Sequence, residues 1–243
     1  MKATIFLLLL IWAVLYPQTP NHIETKYVSA NGSYEVSISG LFYEGYVGNQ
    51  TIKLKNSNTD QLLWEKGFGQ RGLGRPYVSS NGNVAIVVSW NNIEIYSPSG
   101  QKLSTFTLPQ NLKFEDDESV KDQNVFAFIN GGDEFVSIAR EQKQIYKPYL
   151  FCTTLDGSME WRVELPEMMF LGVIFEKGKY LVIHDLKEMP RDMQNTIVVL
   201  NKEGEIIKVE KVKYLRQERF KGLEIIDDGL KFKIITNSRE IVI

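Results

Sequence analysis

Four acidic residues that could carry out general acid and base chemistry lie in the second half of the chain, mostly beside glycine turns. They are Glu176, Glu224, Asp227 and Asp228. Hydrolysis of a glycoside needs two carboxyl groups that face each other across the sugar. These residues are therefore the candidates for a hydrolase, provided that the fold brings two of them to one cavity from different elements.

Other motifs each lack a part that their chemistry requires. GFGQRG (67–72) has the spacing of a dinucleotide-binding loop, but Pro76 and a strand-like run follow where a helix would have to begin. NSNTD (56–60) alternates oxygen ligands as calcium loops do, yet it lacks the required glycine and the final glutamate. No G-x-S-x-G nucleophile elbow is present. We therefore assign no catalytic residue, cofactor or metal, and a non-catalytic protein is favoured over an enzyme.

Histidine and cysteine are scarce. His22 and His184 are the two histidines, and with the single Cys152 they make no four-ligand zinc site without carboxylates. One cysteine forms no internal disulfide. Because Cys152 lies in the apolar run 149–152, we expect a buried structural thiol.

Composition indicates a globular chain without an affinity for nucleic acid. The 243 residues are 43% hydrophobic and 24% charged, with a net charge of −2. A protein that neutralises phosphates usually carries a basic stripe, so nucleic acid is not an expected partner. The basic residue Lys2 precedes a largely apolar run from Ala3 to Leu15, which is short for a membrane span. This predicts an export signal at 1–16, or an uncleaved membrane anchor, and hence a secreted or periplasmic protein.

A repeat of about fifty residues organises the rest of the chain. Strand-like segments flank Gly32, Gly82, Gly131, Gly178 and Gly229, which are 50, 49, 47 and 51 residues apart. Each of the first four units continues into a second hairpin whose turn contains Asp60, Gly100, Gly157 or Gly204, and Trp64 and Trp161 each follow that turn by four residues. One unit is therefore predicted to be four antiparallel strands.

These units resemble the blades of secreted β-propeller repeat proteins of the WD40-like and quinoprotein-like kinds. The segment DGSMEWRVELP in particular is similar to a quinoprotein-type repeat, although the WD and GH dipeptides of the strict WD40 repeat are missing. The resemblance implies an all-β, five-bladed propeller over residues 21–243. Because the fifth unit has three strands, we expect the segment 21–26 to join this C-terminal blade as its fourth strand and close the ring.

Loop lengths differ between the two faces of such a propeller. Turns within the hairpins are short and define a short-turn face, whereas 40–50, 67–76, 108–123, 139–149 and 184–195 define a long-loop face. Long loops on a rigid scaffold commonly carry binding residues. The predicted binding residues are Tyr43, Tyr46, Arg71, Arg75, Trp90, Tyr146, Lys147, His184 and Arg191.

The function predicted from these features is non-catalytic binding of a protein, peptide or glycan outside the cytoplasm. Two alternatives stay open: a small glycosidase-like hydrolase that uses inner-strand carboxylates, and a membrane-tethered structural or assembly component. Two carboxylates about 5 to 10 Å apart in an axial pocket would favour the hydrolase.

Overall fold

The computed structural model describes residues 21–43, 46–69, 75–114, 126–141, 148–166, 172–177, 179–185, 194–213, 220–226 and 231–243. Within these ranges the chain forms twenty β-strands, a short 3-10 turn at Asn130–Gly132 and no α-helix. The segment 1–16, for which we expect an export signal or anchor, lies outside them. No helix of the described residues has the length and hydrophobicity needed to cross a membrane.

The strands of the described residues pair into five antiparallel sheets. The first sheet contains β1 (Asn21–Val28), β2 (Tyr34–Tyr43), β3 (Tyr46–Asn56) and β4 (Gln61–Gly69). The second contains β5 (Pro76–Val78), β6 (Val84–Ser89), β7 (Asn92–Tyr96) and β8 (Lys102–Thr107). The third contains β9 (Leu112–Phe114), β10 (Phe126–Ile129), β11 (Glu134–Glu141), β12 (Pro148–Thr154) and β13 (Met159–Glu164). The fourth contains β14 (Gly172–Lys177), β15 (Tyr180–Asp185), β16 (Gln194–Asn201) and β17 (Ile206–Lys213), and the fifth contains β18 (Phe220–Ile225), β19 (Phe232–Thr236) and β20 (Glu240–Val242).

Apart from β9, each sheet is built from strands that follow one another in the chain. The predicted unit of two consecutive hairpins is therefore confirmed in four sheets, and so is a fifth unit of three strands. The strand β9 falls in the predicted loop 108–123, where it pairs antiparallel with the end of β11 through Leu112, Lys113 and Phe114. That stretch is thus partly strand.

One hydrogen-bonding scheme explains the repeated turn sequence. In the first sheet, Ser29 Oγ accepts the N–H of Tyr34 at 3.0 Å, and Asn31 Oδ1 accepts the N–H of Ser33 at 3.1 Å. Gly32 has a φ of 74°, a conformation that glycine adopts without a steric penalty. A similar positive φ occurs at the glycines of five later turns, namely Gly82, Gly100, Gly131, Gly157 and Gly204.

Consecutive sheets pack through shared apolar clusters. In the third sheet, alternation along β11 directs Phe135 toward the second sheet and Val136 toward the fourth. In the fourth sheet, Ile183 belongs to the cluster shared with the third and Val182 to the cluster shared with the fifth. The three internal sheets therefore have two apolar faces each.

The tryptophans that follow the second turns lie against glycines of the next sheet. A Cβ placed on Gly100 would lie 2.9 Å from Cγ of Trp64, and one on Gly204 would lie 2.7 Å from Cδ2 of Trp161. At the intermediate position the smaller Ser104 lies against Gly157. Glycine is therefore favoured at Gly100 and Gly204 for two reasons. The backbone φ is positive, and the tryptophan ring leaves no room for a Cβ atom.

The two terminal sheets each have one apolar and one charged face. On the first sheet, Lys26 pairs with Glu35 at 2.9 Å and Lys53 with Glu65 at 3.4 Å, all directed away from the second sheet. On the fifth sheet, Lys233 lies 2.8 Å from Glu224 and 3.4 Å from Glu240. These faces resemble the polar outer faces of capping repeats.

The predicted closure by the segment 21–26 is wrong. This segment forms one continuous strand with Tyr27 and Val28, and all eight residues of β1 pair with β2. The reason is that β2 continues to Tyr43 through GLFY, a stretch that we assigned to the loop 40–50, and so offers a partner to the whole of β1. The fifth sheet of the described residues consists of β18, β19 and β20 alone.

Candidate binding site

A cavity of about 330 Å³, here called the axial cavity, lies between the strands β1, β5, β10 and β14 of four sheets. Residues of the short turns that follow β1, β5 and β10 also line it, so it reaches the short-turn face. The described lining residues are Tyr27, Val28, Ala30, Arg75, Pro76, Tyr77, Val78, Ser79, Ser80, Phe126, Ala127, Phe128, Gly131, Gly132, Ile174 and Glu176.

One wall of the cavity combines aromatic rings with a guanidinium group. The Arg75 guanidinium carbon lies 4.3 Å from the centroid of the Tyr27 ring and 5.2 Å from that of Tyr77. Tyr77 in turn packs against Phe126, with their ring centroids 5.0 Å apart. Stacking against rings from two sheets holds the arginine in place.

Among the described lining residues, Glu176 is the one with a carboxylate. Two hydrogen-bond donors hold this carboxylate in place. The Nζ atom of Lys202 lies 2.7 Å from its Oε1, and the backbone N–H of Asn130 donates to the same oxygen at 3.2 Å. The bond to Asn130 joins the third and fourth sheets. This carboxylate therefore supports the propeller and already has a cationic partner.

Hydrogen bonds between turns of adjacent sheets shape the edge of the cavity. Asn31 Nδ2 donates to the carbonyl of Ser80 at 2.9 Å, and Asn83 Nδ2 donates to the carbonyl of Gly132 at 3.2 Å. Each bond joins residues 49 positions apart, which is about one repeat. The turn asparagines thus tie three sheets together around the cavity edge, which is built from small side chains.

The predicted binding residues do not converge on this cavity. Of the nine, Arg75 lines it. Trp90 lies in the turn between β6 and β7 on the long-loop face, and 53% of the residue is exposed. Its backbone carbonyl accepts the N–H of Phe114 at 2.8 Å. Tyr43 and Tyr46 form a pair at the end of the β2–β3 hairpin. Arg71, Tyr146, Lys147 and Arg191 lie outside the described residues.

His184 lies in the core instead of on the long-loop face. Its exposed fraction is 0%, because alternation along β15 places it on the same side as Val182, toward the fifth sheet. Burial lowers the pKa of His184 to about 4, since the charged imidazolium is disfavoured away from water. The imidazole is therefore neutral at pH 7 and does not form part of a surface site.

Cys152 is buried, as the sequence predicts. Its Sγ lies 3.4 Å from Oε2 of Glu134. Burial, together with this carboxylate, raises the pKa of the thiol well above its ordinary range. The thiolate that a nucleophile requires is thus disfavoured.

The four candidate acids are not brought to one place in the described part of the chain. Glu176 lines the axial cavity, whereas Glu224 is exposed on the outer face of the fifth sheet beside Lys233. Asp227 and Asp228 lie outside the described residues. No group of three or more His, Cys, Asp or Glu side chains in the described ranges is placed to hold a metal ion.

The aromatic wall was not predicted from the sequence, although a signal for it existed. Tyr27 and Tyr77 occupy equivalent positions in the repeated segments YVSAN and YVSSN. A tyrosine repeated at the same position of first strands indicates side chains that meet near a propeller axis. Loop length, in contrast, favours the opposite face.

No family model and no curated protein matches the sequence. Among solved structures, the WD40 domain of SCAP from fission yeast is similar with a TM-score of 0.52 and 11% identity, over 94% of this chain and 53% of that chain. An acylaminoacyl peptidase from Pyrococcus horikoshii is similar with a TM-score of 0.52 and 11% identity, over 87% of this chain and 35% of that chain. The WD40 domain of Toxoplasma gondii coronin gives a TM-score of 0.47 at 11% identity, over 85% of this chain and 52% of that chain.

The likeness to the SCAP domain shows the fold and nothing further: the chain has a β-propeller repeat fold, as predicted. The chain spans about half the length of these two WD40 domain chains. Because folds host many unrelated functions, the ligand has to be argued from the cavity and the loops.

Proposed function

We propose that this protein is a non-catalytic, extracytoplasmic binding scaffold in which the five sheets act as five propeller blades. Its partner is a protein, peptide or glycan. The proposal rests mainly on the axial cavity, whose aromatic wall and guanidinium suit recognition while its carboxylate is already ion-paired with Lys202. Export is supported by the N-terminal sequence, with Lys2 before an apolar run.

The long-loop face supplies a second contact surface in this proposal. On this face, Trp90 is an exposed aromatic residue among those that the structure describes. Exposed tryptophans are frequent anchors in protein interfaces. A scaffold of this type presents separate contacts on its two faces. The glycosidase alternative is less well supported, because Glu176 and Glu224 lie in different environments.

Capture of a partner from the native envelope or medium tests the proposal. Immobilised protein should enrich a specific partner relative to a blank resin, and Trp90→Ala or Arg75→Gln should reduce that enrichment. Met159→Ala is the matched control, because Met159 is 54% exposed but lies on the outer strand β13. A partner retained equally by all variants, or no specific partner, would refute the binding role of these faces, and hydrolysis of aryl glycosides would refute the absence of catalysis.

A further inference from the structure

We propose that the free side of β20 binds an extended segment of a partner protein, which becomes a fourth strand of the fifth sheet. The residues Glu240–Val242 define this side, here called the open edge. The contact is separate from the two faces of the proposed scaffold and goes beyond that function. Three properties of the open edge support it: unpaired backbone groups, a lack of the features that protect other edges, and the chemistry of its side chains.

The strand β20 occupies a position that is paired on both sides in the other sheets. Each of the third strands β3, β7, β12 and β16 lies between two neighbouring strands of its sheet. In the part of the chain that the structure describes, β20 pairs with β19 and with no further strand. The strand β1, which we expected here, pairs with β2 over its whole length. The position of a fourth strand is therefore open among the described residues.

The backbone of the open edge offers two donors and two acceptors. Ile243 exchanges two backbone hydrogen bonds with Phe232, each 2.9 Å long, so its polar groups point toward β19. Bonded residues alternate along an antiparallel strand, and the register is continuous. Ile241 therefore also points its backbone groups toward β19, whereas Glu240 and Val242 point theirs toward the open edge. An extended segment can pair with such groups as an added strand.

The open edge lacks the features that protect the outer edges of the other sheets. The outer strands β4, β8, β13 and β17 each have a register shift against their neighbour, and each contains a lysine or an arginine. Bulges and basic side chains hinder the addition of a strand to an edge. In contrast, β20 pairs with β19 without a shift, and its apolar Val242 is 60% exposed.

The side chains of the open edge specify what the added strand should contain. Lys233 lies 2.8 Å from Glu224 and 3.4 Å from Glu240, so two carboxylates share one ammonium group. A basic residue opposite Glu240 would balance the second carboxylate. Val242 is exposed, and Ile241 packs against the apolar cluster between the fourth and fifth sheets. An antiparallel partner segment should therefore read apolar, apolar, basic from its N-terminal end.

A second copy of this chain matches the open edge less well. When two copies of β20 pair antiparallel through these groups, Glu240 lies opposite Val242 or opposite another Glu240. Neither arrangement supplies a cation, and the second places like charges together. The chemistry of the edge thus favours a different protein as the partner.

Peptide titrations of the whole protein, followed through its backbone amide NMR signals, test this contact. The probe is an acetylated and amidated nonapeptide with Val-Ile-Lys at its centre and serine and threonine on both sides. The amide signals of Glu240 and Val242 should shift, and their hydrogen exchange should slow when the peptide binds. The amide of Ile243, which is already bonded to β19, should exchange slowly with or without the peptide.

Two N-methylated forms of the probe separate strand pairing from apolar contact. An N-methyl group on the lysine of the probe blocks the bond to the carbonyl of Glu240 and leaves that carbonyl unpaired. The same group on the isoleucine of the probe points away from β20, because the bonded residues alternate. We expect the first form to bind at least about tenfold more weakly than the probe, and the second to bind within about threefold of it.

Three protein variants locate the binding. Val242→Pro removes a donor of the open edge and keeps the bonds to β19, so it should weaken the probe about tenfold. Val242→Ala is the matched control, because it keeps the donor, and it should weaken the probe no more than about threefold. Glu240→Gln should weaken the probe about threefold and leave a peptide with glutamine in place of lysine unchanged. Unshifted amide signals in the other four sheets check that each variant is folded.

Several outcomes would overturn the proposed edge contact. They are no binding of the probe, equal binding of the two N-methylated forms, and binding that Val242→Pro does not change. Dimerisation of the protein that Val242→Pro abolishes would assign the open edge to a second copy instead. The open edge includes no residue of the axial cavity and lies apart from Trp90, so none of these results would affect the proposed function.

Discussion

The internal and terminal sheets of this propeller are built from the same hairpins but differ in the polarity of their faces. The second, third and fourth sheets have apolar residues on both faces, because each is packed between two neighbours. The first and fifth have one apolar face, and on the other they have the ion pairs Lys26–Glu35, Lys53–Glu65 and Lys233–Glu224. The repeat therefore encodes hairpins, whereas position in the array decides which faces are apolar.

The turns show the same difference. The second turns of the second, third and fourth sheets contain Gly100, Gly157 and Gly204, each covered by a side chain of the preceding sheet. The equivalent residue of the first sheet is Asp60, which has a positive φ of 54° and a side chain that is 89% exposed. No residue of a preceding sheet covers it among the described contacts, so glycine is not required there.

The largest effect that we predict comes from adding one methyl group to an internal turn. Gly204→Ala should lower the free energy of unfolding by about 3 kcal/mol, because the left-handed backbone strains alanine and the methyl group overlaps the Trp161 ring. Gly32→Ala in the first sheet is the matched control, since its φ is also positive but its Cβ would meet no atom within 4 Å. We expect about 1 kcal/mol there.

Urea denaturation of both variants measures the difference. Equal losses would mean that backbone strain alone matters, and that the contact between Trp161 and the next sheet contributes little. A Trp161→Ala background sharpens the test, because the added cost at Gly204 should then fall to that of Gly32.

The sequence was sufficient for the repeat and for the turns, because both depend on local chemistry. Glycines near fifty-residue spacing and alternating strands need few long-range contacts to be recognised. The extent of β2 was missed, because GLFY contains a glycine and reads as a loop until its pairing with β1 is seen. The axial cavity could not be located either, since Arg75, Tyr27 and Tyr77 meet only once two sheets have packed.

The boundary between an internal and a terminal sheet contains a group that should make stability depend on pH. His184 faces the fifth sheet with a pKa of about 4, below its ordinary value of 6.5. Between these two values the unfolded chain binds a proton that the folded chain does not, so stability falls as the pH is lowered through this window. From pH 7 to pH 5 we expect a loss of about 2 kcal/mol from this residue.

Denaturation of wild type and His184→Gln at the two pH values checks this effect. The variant does not titrate and should lose about 2 kcal/mol less than wild type on acidification. His22→Gln is the control for the loss of a histidine as such, because His22 is exposed on β1 of the first sheet. An unchanged slope in His184→Gln would show that other groups control the acid sensitivity.

The smallest effect should come from the charged outer face of the first sheet. Lys53 and Glu65 are paired across β3 and β4 at 3.4 Å, with 35% and 47% of their side chains exposed. Ion pairs with this exposure contribute about 0.5 kcal/mol and weaken in salt, so a double-mutant cycle with Lys53→Met and Glu65→Gln should give a coupling of that size at low salt. A coupling of several kcal/mol that persists in 1 M salt would mean that this face is covered in solution, and the contrast between terminal and internal sheets would not hold. If the contrast holds, the cost of the charged face is small because water solvates it, and the gain lies in preventing a further sheet from stacking there.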